Sequence, residues 1–256
     1  MSGGSRTRTE LTQDAFLGGR ITISQPAKGF RAGLDSVLLA AAVSSSAREI
    51  LELGAGAGAA ACCVLADLPE AAITAIEMQH EMVELLEKNL TENGFAERSL
   101  AIDLDLLDKQ ARSRADLPVN HFDTVIANPP FFDSASGTGA PDPTKSASSH
   151  MPSGKLDHWV KLAAGSLKAG GEAIFVHAAD SLPELIAAFA LRFGNLTLLP
   201  IAPRPDKSAT RILMRGIKGS RAPLTLLPPL VLHPEAGNSF NPLPDAILRG
   251  QARLDW

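Results

Sequence analysis

The sequence predicts an α/β fold, a doubly wound and mostly parallel seven-stranded sheet with helices on both faces and a short N-terminal extension. Three observations carry this expectation. From residue 49 onward, short β-prone runs alternate with helical ones, the pattern that parallel strands joined by crossover helices require. The run EILEL passes directly into Gly54-Ala55-Gly56-Ala57-Gly58 and then into an apolar helix. The run at 123–127 is mostly apolar, as expected for a buried strand, and it stops at Asn128-Pro129-Pro130.

Taken in order, residues 1–10 are small and charged without periodicity and are expected to be a disordered leader. Residues 11–256 are expected to form one domain, with 11–45 as the extension and 46–256 as the core. In 11–31, Ile21 and Ile23 alternate with Thr22 and Ser24, and Gly18-Gly19 marks a turn between short strands. LDSVLLAAAV at 34–43 reads as a helix that Asp35 or a neighbour caps. Strands follow at 49–53, 71–77, 100–104, 123–127, 172–178, 196–201 and 210–216. Helices are expected at 59–68, at 78–93, where Met82, Leu85, Leu86 and Leu90 form a stripe closed by Gly94, at 154–168 and at 182–193. Gly170-Gly171 is expected to stop the helix at 154–168. The segment 133–152 is polar and rich in Gly, Ser and Pro, the composition of a functional or mobile loop. LLPPLVLH adds a last strand.

Composition narrows the function classes. An apolar fraction of 45 % excludes wholesale disorder. The chain has no apolar run long enough to span a bilayer, and its first residues lack the apolar core of a signal peptide, so a cytoplasmic protein is expected. Adjacent Cys62 and Cys63 point in different directions on a helix and read as small core residues; no CxxC pair or histidine cluster suggests a metal site. Net charge is −4, but between residues 192 and 221 Arg192, Arg204, Lys207, Arg211, Arg215, Lys218 and Arg221 oppose Asp206 alone. That stretch is either a solvated face or a surface for phosphates.

The chemistry-bearing residues lie where ligands bind in such sheets, beyond the carboxyl ends of the strands. Gly54, Gly56 and Gly58 allow a sharp turn and close approach of a ligand, with helix N–H groups facing it. Glu77 ends the next strand, 19 residues after Gly58, and can accept the ribose hydroxyls of an adenosine ligand; NAD or S-adenosylmethionine would satisfy it. Asp105 is placed to bind the adenine amino group, with Asp103 and Asp108 competing for that role. Asn128-Pro129-Pro130-Phe131 suits an amine acceptor. An exocyclic or amide NH₂ is a poor nucleophile because its lone pair is delocalised. Two acceptors, the Asn128 side-chain oxygen and the Pro129 carbonyl, can hold its N–H groups and favour a pyramidal nitrogen, while the prolines stiffen the backbone and Phe131 stacks on a planar substrate.

EILELGAGAG, AIE and VIANPPFF together resemble the class I S-adenosylmethionine-dependent methyltransferases that carry an amino-methylating (D/N/S)PP(Y/F) signature. The segment GFRAGLDSVLLAAAV, following DAFLGGRITISQPAK, resembles the bacterial tRNA (adenine-N6)-methyltransferases; the likeness runs over residues 12–235. It implies a Rossmann-like domain whose cofactor, S-adenosylmethionine, is lined by Gly54, Gly56, Gly58, Glu77 and Asp105. It also implies that Gly33 and Asp35 lie over the cofactor and that Asn128, Pro129 and Phe131 hold the target. The implied partner is a structured RNA such as tRNA, held by 192–221 together with Lys145 and Lys155. Relatives with the same signature methylate glutamine in release factors or guanine N2 in ribosomal RNA, so a protein glutamine or a small molecule (N or O) is the alternative acceptor. The chain has no tyrosine, and the stacking role falls to Phe131 or Phe132.

Overall fold

The computed structural model describes residues 10–29, 31–108, 110–111, 115–130 and 155–256. An antiparallel hairpin, β1 (Leu11–Phe16) and β2 (Ile21–Pro26), comes first, turning through Gly18 and Gly19 at φ +67° and +91°. Helix α1 (Leu34–Ala41) leads into the core. There β3 (Glu49–Leu53), α2 (Ala59–Asp67), β4 (Ala72–Glu77), α3 (His80–Glu92), β5 (Ser99–Asp103) and β6 (Phe122–Ala127) follow one another. The remainder comprises α4 (Lys155–Ser166), β7 (Leu167–Ala178), α5 (Leu182–Ala190), β8 (Phe193–Ala202) and β9 (Arg211–Lys218), then the two-residue strands β10 (Thr225–Leu226) and β11 (Leu230–Val231) and α6 (Pro242–Leu248).

The sheet order is β10-β8-β9-β7-β6-β3-β4-β5, with β11 also beside β8. The seven expected strands form its body, and β10 and β11 extend it along β8 to nine. Neighbours are parallel except around β9, which runs antiparallel to both β7 and β8. The winding reverses at β3, flanked by β4 on one side and β6 on the other, and that reversal opens the crevice in which such folds bind ligands.

The core has two layers because strand residues alternate between faces. Ile50 packs into a cluster with residues of α1, α2 and α3, while Leu51 and Leu53 enter a second cluster with residues of α4 and α5. Cys62 and Cys63 are buried and free, and burial pushes the Cys62 thiol up to about 12, so it stays an apolar packing group. Helix α3 ends as its Gly94 suggests. Gly94 sits at φ +78°, its N–H bonds the Thr91 carbonyl at 3.0 Å, and Phe95 N–H bonds Leu90 at 2.8 Å, a Schellman closure.

One local expectation is corrected, and another, the cap of α1, is narrowed to one residue. Gly170 and Gly171 do not separate a helix from a strand, because β7 starts at Leu167 and runs through both. A Cβ at Gly171 would stand 2.9 Å from the Asp123 carbonyl, so this glycine lets β7 close on β6 where their register shifts. Asp35 does not cap α1: Gly33 is the N-cap, and its carbonyl takes the Ser36 and Val37 N–H groups.

Candidate active site

The loops after β6, β3, β4 and β5 lie side by side at the carboxyl edge of the sheet. Leu53 pairs with Ala127 on one side and Ile76 on the other, and Glu77 pairs with Asp103. Gly54 and Asn128 therefore leave adjacent strands at one level, a strand spacing of about 4.8 Å apart.

Gly54, Gly56 and Gly58 sit at φ +68°, +55° and +82°, while Ala55 and Ala57 between them do not enter the left-handed region. Such alternation turns successive N–H groups into one concavity. Two of the glycines are also required by packing. A Cβ at Gly54 would lie 2.5 Å from the indole of Trp159, and one at Gly58 2.4 Å from Leu86 Cδ1. At Gly56 the nearest atom would be the Met82 methyl at 4.0 Å, which leaves space on the open side of the loop. The Ala55 N–H bonds the Ile76 carbonyl at 2.9 Å.

Glu77 is 6 % exposed and held by three main-chain donors. Oε2 accepts the Gly56 N–H, and Oε1 accepts those of Met78 and Gln79, each at 2.9 Å. A carboxylate offers about four lone-pair positions, so binding two hydroxyls here needs one of these bonds to be given up or shared. The exposed Met78 stands beside it and offers an apolar wall that the sequence reading did not single out.

The three competing aspartates are distinguished by their partners. Asp103 is the last residue of β5 and binds His80 Nδ1 at 2.8 Å. Asp108 accepts the N–H groups of Gln110 and Ala111. Asp105 lies two residues beyond β5, which was expected to run to residue 104, because Leu104 plugs the core and the Asp105 carboxylate then closes a turn on the Leu107 N–H at 2.8 Å. Asp35 is paired with Arg211 Nε at 3.0 Å, joining the start of α1 to the start of β9 at the rim. Asn128 is half-buried and Pro129 buried directly after β6. Phe131, Phe132, Lys145 and the loop 133–152 lie outside the described residues.

Sequence reading missed two contributors. Glu52, on β3, is 3 % exposed, and its Oε2 has no hydrogen-bond partner among the described residues. Burial, aided by the charge of Glu77 and opposed by the Ala61 N–H, pushes it up to about 8. Its signal was an acid between the leucines of an apolar strand, on the face of inward-pointing Ile50. Trp159, on α4, is 8 % exposed and seats the first glycine of the loop. On β7, burial lowers the His177 imidazole to about 4, so it is neutral near pH 7.

The basic stretch is not a free cationic surface. Arg192 forks onto Asp157 at 2.6 and 3.0 Å, and Arg204 binds the carbonyls of Pro234, Glu235 and Gly237. Arg211 is on Asp35, and Lys218 binds Asn120 and the Leu167 carbonyl. Arg215 bonds the Trp256 carbonyl and lies 5.1 Å from its ring centre. Lys207 pairs with Asp206 at the surface, and Arg221 is exposed.

An open glycine concavity with a fixed carboxylate beside it fits a ligand with ribose hydroxyls, as S-adenosylmethionine has. Comparison with known proteins agrees. The model of the methyltransferase small domain matches residues 31–184. A tRNA1(Val) (adenine(37)-N6)-methyltransferase of Porphyromonas gingivalis is 27 % identical over 89 % of this chain and 91 % of its own. The human MTRF1L release factor glutamine methyltransferase is 28 % identical over 61 % of this chain and 48 % of its own. A crystal structure described as a predicted O-methyltransferase, from Agrobacterium tumefaciens, is 35 % identical, covers 86 % of this chain and 98 % of its own, and superposes with a TM-score of 0.72.

Proposed function

The chain belongs to the methyltransferase small domain family and is an S-adenosylmethionine-dependent methyltransferase, and from that premise we propose that it methylates the exocyclic N6 amine of an adenine in tRNA. The observation that carries this reading is the placement of Asn128-Pro129 one strand from Gly54, in register through Leu53 and Ala127.

S-adenosylmethionine supplies an electrophilic methyl on a sulfonium centre. In this reading Gly54, Gly56 and Gly58 receive its methionine and ribose parts, Glu77 accepts the ribose hydroxyls, and Asp105 faces the adenine. Asp35, tied to Arg211, would lie over the cofactor. Asn128 Oδ1 and the Pro129 carbonyl accept the two N–H bonds of the acceptor amine and hold its nitrogen in line, so the rate comes from position and orientation. Phe131 stacks on the base, which must be unpaired or flipped to reach this pocket. Once methylated, the nitrogen would be cationic and acidic enough to give one N–H proton to water, whereas a hydroxyl acceptor would need a base to take its proton as it attacks, and Asn128 and Pro129 offer only neutral acceptors. The relative from Porphyromonas gingivalis, alignable along nearly the whole chain, supports the tRNA substrate.

The second reading is a protein glutamine. Its amide NH₂ presents the same two donors, and it is favoured by a net charge of −4 and by the number of basic residues engaged within the protein. The test is transfer of labelled methyl from S-adenosylmethionine to total RNA and to a protein extract, both from cells lacking this gene. Label in tRNA, recovered as N6-methyladenosine, is the expected result. Label in protein alone overturns the tRNA reading in favour of glutamine.

A further inference from the structure

Asn89 on α3 and Asn93, the residue that caps its C-terminus, lie one turn apart and face the outer edge of β2. Asn93 Oδ1 accepts the Thr22 N–H at 3.0 Å, and its Nδ2 donates to the Thr22 carbonyl at 2.8 Å. Asn89 repeats this on Ser24, at 2.8 and 2.9 Å. Each side-chain amide thus pairs with the N–H and C=O of one residue, as the opposite residue of an antiparallel strand does. The spacings match: four residues of helix rise about 6 Å, and two residues of strand about 6.8 Å. β2 has β1 on one edge and an asparagine ladder on the other.

The two asparagines differ in one bond. The second amide hydrogen of Asn93 returns to the Asn89 carbonyl of its own helix at 2.8 Å. That of Asn89 goes to the Ala57 carbonyl, also at 2.8 Å. The Ala57 carbonyl and the Gly58 N–H share a rigid peptide plane, so Asn89 fixes the peptide that enters α2. The preceding part of the loop is held by the bond from Gly56 to Glu77. Asn89 is 0 % exposed, and an apolar replacement would strand the Ser24 groups and the Ala57 carbonyl without partners. Next to Ser24, the Gln25 amide clamps Ala32 through both its N–H and its carbonyl, at 2.7 and 3.3 Å, just ahead of Gly33 and Asp35.

We infer that Asn89 is a positioning residue for the cofactor: through it, docking of the N-terminal hairpin holds the glycine loop in its binding shape. The hairpin thereby contributes to cofactor affinity by way of the loop. This inference rests on the methyl-donor site alone and is independent of which molecule accepts the methyl.

Asn93→Ala is the built-in control, because it removes the same two bonds to the hairpin and none to the loop. Both Asn89→Ala and Asn93→Ala should lower the melting temperature. Calorimetric titration with S-adenosylhomocysteine should show about tenfold weaker binding for Asn89→Ala and less than about twofold for Asn93→Ala. Equal weakening in both, or wild-type affinity in Asn89→Ala, overturns the proposal. Hydrogen exchange on the wild-type protein decides the matter even if a variant fails to fold, since coupling between sites is reciprocal. S-adenosylhomocysteine should slow exchange of the Ser24 amide together with that of Gly58 and leave the Thr22 amide unchanged. Protection confined to the loop, or equal at Thr22 and Ser24, overturns it.

Discussion

Glu52 and Asn128 are the residues whose chemistry is most exposed to test. Glu52 has its folded-state pKa raised to about 8 from an ordinary 4.5. The folded protein therefore holds a proton that the unfolded chain has lost between those values, and stability falls as pH rises through that window. Below the ordinary value the penalty vanishes; above about 8 it is complete, on the order of a few kcal/mol. Glu52→Gln should flatten the decline in melting temperature between pH 5 and pH 8.5, and an unchanged slope would remove Glu52 as its cause. Asn128→Ala tests the acceptor clamp. Loss of one oriented polar contact to the reacting group should lower kcat on the order of 10²-fold, with the affinity for S-adenosylhomocysteine nearly intact; parallel loss of both would place Asn128 on the donor side instead. Asn128 was readable from the sequence because its neighbours Pro129 and Pro130 follow an apolar strand. The raised pKa of Glu52 was not, since it depends on how completely α2 covers the centre of β3.

At the scale of the element, the glycine loop separates two reasons for glycine. Gly58 is left-handed and also pressed against Leu86, whereas Gly56 is left-handed with room around it. Gly58→Ala should destabilise the fold by about 2–3 kcal/mol through strain and overlap together. Gly56→Ala should cost about 1 kcal/mol in stability and mainly weaken cofactor binding. Melting temperature and S-adenosylhomocysteine titration, measured on both variants, separate the two effects; equal melting temperatures would show that the Leu86 contact relaxes freely. The strands and helices were largely legible, because period and punctuation are local properties. The error at Gly170-Gly171 has a local cause as well: a glycine pair reads as a stop, but here it admits the neighbouring strand, and only the partner strand reveals the need.

Over the whole molecule, charge is the quantity whose engagement the sequence does not reveal. Seven basic residues within thirty positions look like a patch, yet Arg204, Arg211, Arg215 and Lys218 bind carbonyls, carboxylates and an aromatic ring inside this chain. Lys207 and Arg221 stay at the surface, and Lys207 shares Asp206. If tRNA is the substrate, its dependence on salt should be shallow. Replacing Lys207 and Arg221 together by alanine should reduce the slope of log affinity against log salt by at most about two. Binding across a salt series checks this, and a larger drop would reveal phosphate contacts that cooperate beyond these two.

The sequence by itself determined the doubly wound sheet, the family and the methyl donor, and it put Gly54, Gly56, Gly58, Glu77 and Asn128 at the carboxyl edge of that sheet. Each of these is written in a short contiguous stretch, where strand period, turn chemistry and residue type act on the same few positions. Tertiary structure alone decided that Asp35 meets Arg211, that Trp159 seats Gly54, that Glu52 is buried, that Asn89 joins hairpin to loop, and that most of the basic stretch is engaged. All of those contacts join residues far apart in the chain, and which distant groups meet is set by how two hydrophobic layers close over one sheet.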